Sequence, residues 1–244
     1  MLARIFSPIQ DHLDKAAEIL TRVCNLRTVN LNLLVHLYCS PVDLTLRPAL
    51  VILSAGMFGP VNPRIHRLAT LFQLVFIAAS LHKNISSAKE KGNGVQFPVL
   101  AGDYFYSKSF TILLEEGLEK YLTTLSDLIA RVNEASILKL HRPGDPFAVE
   151  NYVRCDTAGL LAWGCRISAE VNGAGEEEAT SLYRYGFNLG MAIGLGREEV
   201  FPDKAAACFE QAKKELGLLP VGAPREIMIK VVDYFNRVKE DENG

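Results

Sequence analysis

At 244 residues, the chain is long enough to bury a sizeable core in one large domain or two small ones. Its 49% hydrophobic and 22% charged residues exclude a disordered chain, and a formal net charge of −2 supplies no global basic field for nucleic acid. Five scattered cysteines without a C-x-x-C pair (Cys24, Cys39, Cys155, Cys165 and Cys208) exclude a disulfide scaffold and read as a reduced, cytoplasmic protein.

The N-terminus, MLARIFSPIQDHLDKAAEIL, turns polar too early for a signal peptide. Apolar residues at Leu13, Ala16, Ala17, Leu20 and Val23 predict a helix over 11–24. A second apolar run over 48–58 closes at Gly59-Pro60. A long, largely buried helix is predicted from Pro63 to about Ser86. Its apolar stretch, Leu68 to Leu81, falls short of the roughly 20 residues of a membrane span. Gly92-Asn93-Gly94 reads as a loop, and helices are predicted over 98–117 and 119–140. The turn chemistry of Arg142-Pro-Gly-Asp-Pro precedes a helix predicted over 147–171. Glu176, Glu177 and Glu178 open the next helix, where three acids suit the positive end of the helix dipole. Helices over 202–218 and 225–239 complete the chain, and no alternating strand is evident. The expectation is therefore a single all-α domain over 1–244, an antiparallel bundle with short connections and no internal repeat.

Familiar catalytic patterns are missing. Gly92-Asn93-Gly94 lacks the Lys-Ser/Thr of a phosphate loop, the five histidines form no i, i+4 pair, and no G-x-S-x-G occurs. Carboxylates at i, i+1 and i+4 could converge on Mg²⁺, which takes hard oxygen ligands. Glu115, Glu116 and Glu119 have that spacing, but at a helix end beside Gly117 they read as surface. Glu198 and Glu199 are separated from Asp203 by the helix-breaking Pro202. Arg64, His66 and Arg67 read as a solvated helix start.

Several stretches nevertheless resemble, in order, the trans-polyprenyl diphosphate synthase family. LTLRPALVILSAGMFG is similar to the family's GGK-x-x-RP-x-L, SLHKNISS to L-x-HDD-x-x-D, and LAGDYFYSKSF to LxGDYLxxxAF. CDTAGLLAWGCRISAEVNGAGEEEATSLYRYGFNLGMAIGLG is similar to the segment from the KT motif to the second Asp-rich motif. AKKELGLLPVGAPREIMIKVVDYFNRVKE is similar to the closing helices. The resemblance implies the all-α isoprenoid synthase fold and a Mg²⁺-dependent condensation of isopentenyl diphosphate with allylic diphosphates.

The departures fall on the chemistry. The first Asp-rich motif maps onto Lys83, Asn84 and Ser87, and the second onto Arg197, Glu198 and Phe201. The lysines of GGK and KT map onto Leu44 and Asp156, a substrate-binding histidine onto Phe76, and the Arg-Arg-Gly after the first motif onto Lys89-Glu90-Lys91-Gly92. Arg47 and His82 remain as diphosphate-binding relics, beside Gly102, Asp103 and Thr157. A lysine at a metal position repels Mg²⁺. No catalytic residue, metal ligand or cofactor is therefore expected in this chain. The loop between Gly92 and Pro98 is shortened, and the segment between Gly196 and Pro202 has lost a helix or two.

These features together resemble the small, non-catalytic component I of heterodimeric heptaprenyl or hexaprenyl diphosphate synthases. The resemblance implies a catalytic component II as partner, Mg²⁺ on that partner only, and a product destined for menaquinone. Phe72, Phe76, Ala78 and Ala79 on the long helix are expected to line a polyprenyl-chain tunnel or a subunit interface. A divergent prenyltransferase active by itself and a homodimeric isoprenoid-binding protein are the alternatives.

Overall fold

The computed structural model describes residues 2–83 and 96–242, with side chains to Val238. The predicted extension of the long helix past Lys83, the Gly92–Gly94 loop, Asn84, Ser87 and the Lys89–Gly92 stretch lie outside the described residues.

A short helix α1 (Leu2–Phe6) and a 3₁₀ turn lead into α2 (Gln10–Cys24), followed by α3 (Asn32–Tyr38). The next helix, α4 (Pro41–Gly56), begins seven residues before the position expected from its apolar run. Ser40 supplies the reason: its Oγ accepts from the Asp43 amide, and Pro41 occupies the first helical turn, where no amide hydrogen is needed. Pro48 is accommodated inside this helix. Helix α5 (Pro63–Lys83) follows, then α6 (Gln96–Glu115), which packs along it.

Left-handed Gly117 and Gly144 punctuate the approach to α7 (Leu122–His141) and the turn after it. Asp145 caps α8 (Pro146–Tyr152) by accepting from the Phe147 amide. The single helix expected over 147–171 is divided: a π-helical segment, Val153–Gly159, separates α8 from α9 (Leu160–Val171). Then come α10 (Glu176–Arg197), α11 (Pro202–Gly217) and α12 (Ala223–Glu242). Among the described residues there is no strand, only one isolated bridge between Asn25 and Asn30.

The main apolar core runs from Leu2 to Val232, beside a smaller cluster of Val153, Ala158, Met191, Leu195 and Ala205. At its centre is α5, in contact with α2, α4, α6 and α9. It is long and apolar enough to cross a membrane, but Ile65 through Leu81 are buried inside the bundle except Arg67. The charged start of α5 is not simply solvated. His66 is buried, and its Nε2 lies 3.0 Å from His12 Nδ1, while Arg64 and Arg67 form ion pairs with Glu116 and Glu115 at the end of α6. Those ion pairs fasten the far ends of the two antiparallel helices and also occupy two of the three acids whose spacing could have served a metal.

Candidate functional site

Six helical segments meet around a polar cavity of about 260 Å³: the end of α3, the start of α4, the end of α5, the end of α8, the π segment and the end of α10. A π turn widens the backbone by one residue, and such turns recur at functional sites. Here the π segment carries Asp156 and Thr157 to the cavity wall. The i, i+4 spacing of Asp43 and Arg47 places both on the same face of α4.

Two ion pairs dominate the cavity. Lys83 Nζ donates to Asp156 Oδ1 at 2.8 Å and to the Tyr152 hydroxyl at 3.0 Å. Burial alone would depress the Lys83 pKa. The Asp156 carboxylate, with Tyr152, overcomes this and holds it well above the ordinary lysine value. Burial, reinforced by Asp156, pushes the Tyr152 phenol up to about 12. The second pair is Arg197 Nη1 to Asp43 Oδ1 at 2.9 Å. Asp43 also receives the Ser40 hydroxyl at 2.7 Å and lies 3.4 Å from Arg47 Nη1. Burial would raise its pKa, but Arg47 and Arg197 lower it below the usual carboxylate value.

Arg47 is the most enclosed of the cations, only 3% exposed, with its guanidinium 3.4 Å from the Phe76 ring centroid. Burial lowers its pKa. Glu198 accepts from Lys139 Nζ at 2.5 Å, and that ammonium also lies over the Tyr152 ring. Arg47, Lys83 and Arg197 thus face Asp43, Asp156 and Glu198 across one cavity, three cations against three carboxylates.

These residues do not fit a Mg²⁺–diphosphate centre. Lys83 and Arg197, which the resemblance aligns with the first positions of the two Asp-rich motifs, are cations, and each already has a carboxylate partner. A divalent ion about 4 Å from one ammonium would meet roughly 8 kcal/mol of repulsion at an effective dielectric of 20. Among the described residues, no three His, Cys, Asp or Glu side chains converge on a common point.

The structure divides the residues singled out from sequence. Arg47, Phe76, Lys83, Asp156, Thr157, Arg197 and Glu198 come together at the cavity. Phe201 does not: α10 ends at Arg197 and the chain turns through left-handed Glu199 and Phe201, so Arg197, Glu198 and Phe201 do not share a helical face. His82 is also turned away. Its Nε2 is 3.2 Å from the Val99 carbonyl and 3.3 Å from Asp103 Oδ1, and its ring meets Tyr106 edge-on. A Cβ on Gly102 would collide with this imidazole, which is why the small residue of LAGDY stands there. His82 therefore packs between α5 and α6 and does not line the cavity that Arg47 lines.

Phe72, Phe76, Ala78 and Ala79 are all 6% exposed or less. Their side chains therefore face the inside of the bundle rather than its surface. Asp43, Tyr152 and Lys139 were not singled out from sequence. Only Asp43 left a readable signal there: Ser40-Pro-Val-Asp43 is a helix-capping pattern, and Asp43 stands four residues before Arg47.

No known protein-family profile matches the chain. Among curated proteins, it is similar to the octaprenyl diphosphate synthase of Escherichia coli, with 28% identity over 163 residues, 62% of this chain and 50% of that one. It is also similar to component 2 of the heptaprenyl diphosphate synthase of Bacillus subtilis, with 26% identity over 167 residues, 62% and 47% of the two chains. The match thus spans about half the length of these relatives. Among solved structures, a decaprenyl diphosphate synthase from Rhodobacter capsulatus superposes with a TM-score of 0.82 at 15% identity, covering 96% of this chain and 98% of that one. A chain of the heterotetrameric geranyl pyrophosphate synthase of mint gives 0.78 at 18% identity, covering 91% and 97%. The fold is that of the polyprenyl synthases.

Proposed function

We propose that this chain is a non-catalytic subunit of a heteromeric polyprenyl diphosphate synthase, keeping the synthase fold for a catalytic partner. The observation that carries the reading is the pair of ion-pair closures in the cavity. Lys83 and Arg197 stand where the two Asp-rich motifs would begin, and Asp156 and Asp43 neutralise them. Asp156 stands where the resemblance places the lysine of KT, so that lysine and the first acid have exchanged sign as a pair. The exchange preserves a charged contact that joins α5 to the π segment while removing the charge that would hold Mg²⁺.

Similarity to a relative named as component 2 of a synthase, and the fold shared with a heterotetrameric synthase, support a heteromeric assembly. In this reading the partner carries both intact Asp-rich motifs, binds the Mg²⁺ and performs the condensation. This chain plays the part of the small component. The test is reconstitution with a relative that retains both motifs, measuring complex formation by size-exclusion chromatography with light scattering and following isopentenyl diphosphate incorporation. A stable hetero-complex whose turnover or product length differs from that of the relative alone is expected. Two proteins that elute separately and show unaltered catalysis would refute the subunit role.

A further inference from the structure

A second cavity, of about 590 Å³, shares no lining residue with the polar one. It lies between α1, α2, α3, the first turns of α4 and the middle of α5. Its volume is in the range of small-molecule sites, which are largely apolar with a few placed polar groups. Leu2, Phe6, Leu13, Leu20, Val35 and Pro48 supply apolar wall.

Gln73 also lines this cavity, from the middle of the apolar helix α5. The residue is 1% exposed, and neither its amide nitrogen nor its amide oxygen has a hydrogen-bond partner among the described residues. A buried amide left without partners bears its full desolvation cost, so a glutamine in the centre of a core helix calls for a partner. Neighbouring Thr70 already has its own, since its hydroxyl lies within hydrogen-bonding distance of the Ala16 and His66 carbonyls.

Charge narrows the class of ligand. The ionisable residues of the lining are Asp14, His36 and Tyr234, and neither lysine nor arginine is among the described residues there. A diphosphate would find no fixed counter-charge and would face the Asp14 carboxylate. A carboxamide both donates and accepts, and so does a hydroxyl. We propose that this cavity binds a neutral, largely apolar molecule bearing one hydroxyl, seated against Gln73, at a site separate from the polar cavity.

Calorimetric titration and thermal melting of the full chain with 1-decanol and with decyl phosphate test the proposal. Decanol is expected to bind with a stoichiometry of one and raise the melting temperature, with decyl phosphate at least about tenfold weaker. Gln73→Leu should raise the melting temperature of the unliganded chain and weaken decanol about fivefold to tenfold, the value of one lost hydrogen bond. Ala17→Trp, on the exposed side of α2 where Ala17 lines the cavity, should block decanol without disturbing the core. It decides the matter should Gln73→Leu fail to fold. Absence of decanol binding, equal binding of decyl phosphate, or undiminished decanol affinity in Gln73→Leu or Ala17→Trp would overturn the proposal.

Discussion

Lys83 and Asp156 lie 2.8 Å apart with side chains only 19% and 4% exposed. A buried ion pair adds little over an apolar pair, but breaking one by removing a single partner leaves a charge stranded. Lys83→Met should therefore cost about 3–5 kcal/mol in a urea melt, and adding Asp156→Leu should recover most of it. The reversed pair, Lys83→Asp with Asp156→Lys, should also be more stable than either single change. Equal, additive losses in the double variants would show that the two side chains do not act as a pair. Asp43 gives a pH signature. Its folded pKa lies below its unfolded value, so its contribution is complete above about pH 4 and fades as pH falls through the folded pKa. The stability gap between the wild type and Asp43→Asn should be constant at neutral and mildly acidic pH and narrow below about pH 4. A gap unchanged into strong acid would contradict the assignment.

Helices meet at distances fixed by their smallest residues. On α10, a Cβ at Gly186 would lie 2.6 Å from the Leu161 carbonyl oxygen, whereas one at Gly196 would meet nothing within 4 Å. Gly186→Ala should thus destabilise by roughly 1–3 kcal/mol through overpacking, while Gly196→Ala should gain up to about 1 kcal/mol of helix propensity. Thermal melts that shift in opposite directions would support this packing, and a shared direction would count against it. Helix α5 offers a related test, because Ala78 is fully buried. As simple packing, Ala78→Phe should cost roughly 1–3 kcal/mol. A tunnel wall would instead accept the ring without loss of stability, and the reconstituted pair would make a shorter product.

The helices themselves were legible in the sequence because their apolar residues recur at helical spacing and Gly or Pro marks most ends. The boundaries differ where something other than periodicity decides. A Ser40 cap and a tolerated Pro48 moved the start of α4, and a π turn has no hydrophobic signature to divide α8 from α9.

For the molecule as a whole, the site was legible by position but not by contact. The resemblance assigned Lys83, Arg197 and Asp156 to three separate motifs, and the structure joins Lys83 to Asp156 and Arg197 to Asp43 across 73 and 154 residues. No local pattern carries such a pairing. His82 matches a motif by position, yet its contacts are with α6, where the absent side chain of Gly102 leaves room for its ring. The proposed function rests on a synthase fold whose cavity charges are paired internally. Incorporation of labelled isopentenyl diphosphate by the purified chain, given an allylic diphosphate and Mg²⁺, tests this most directly. The account predicts no elongation by the chain alone, and elongation by the pair when a relative with both Asp-rich motifs is added. Mg²⁺-dependent elongation by the chain alone would contradict it.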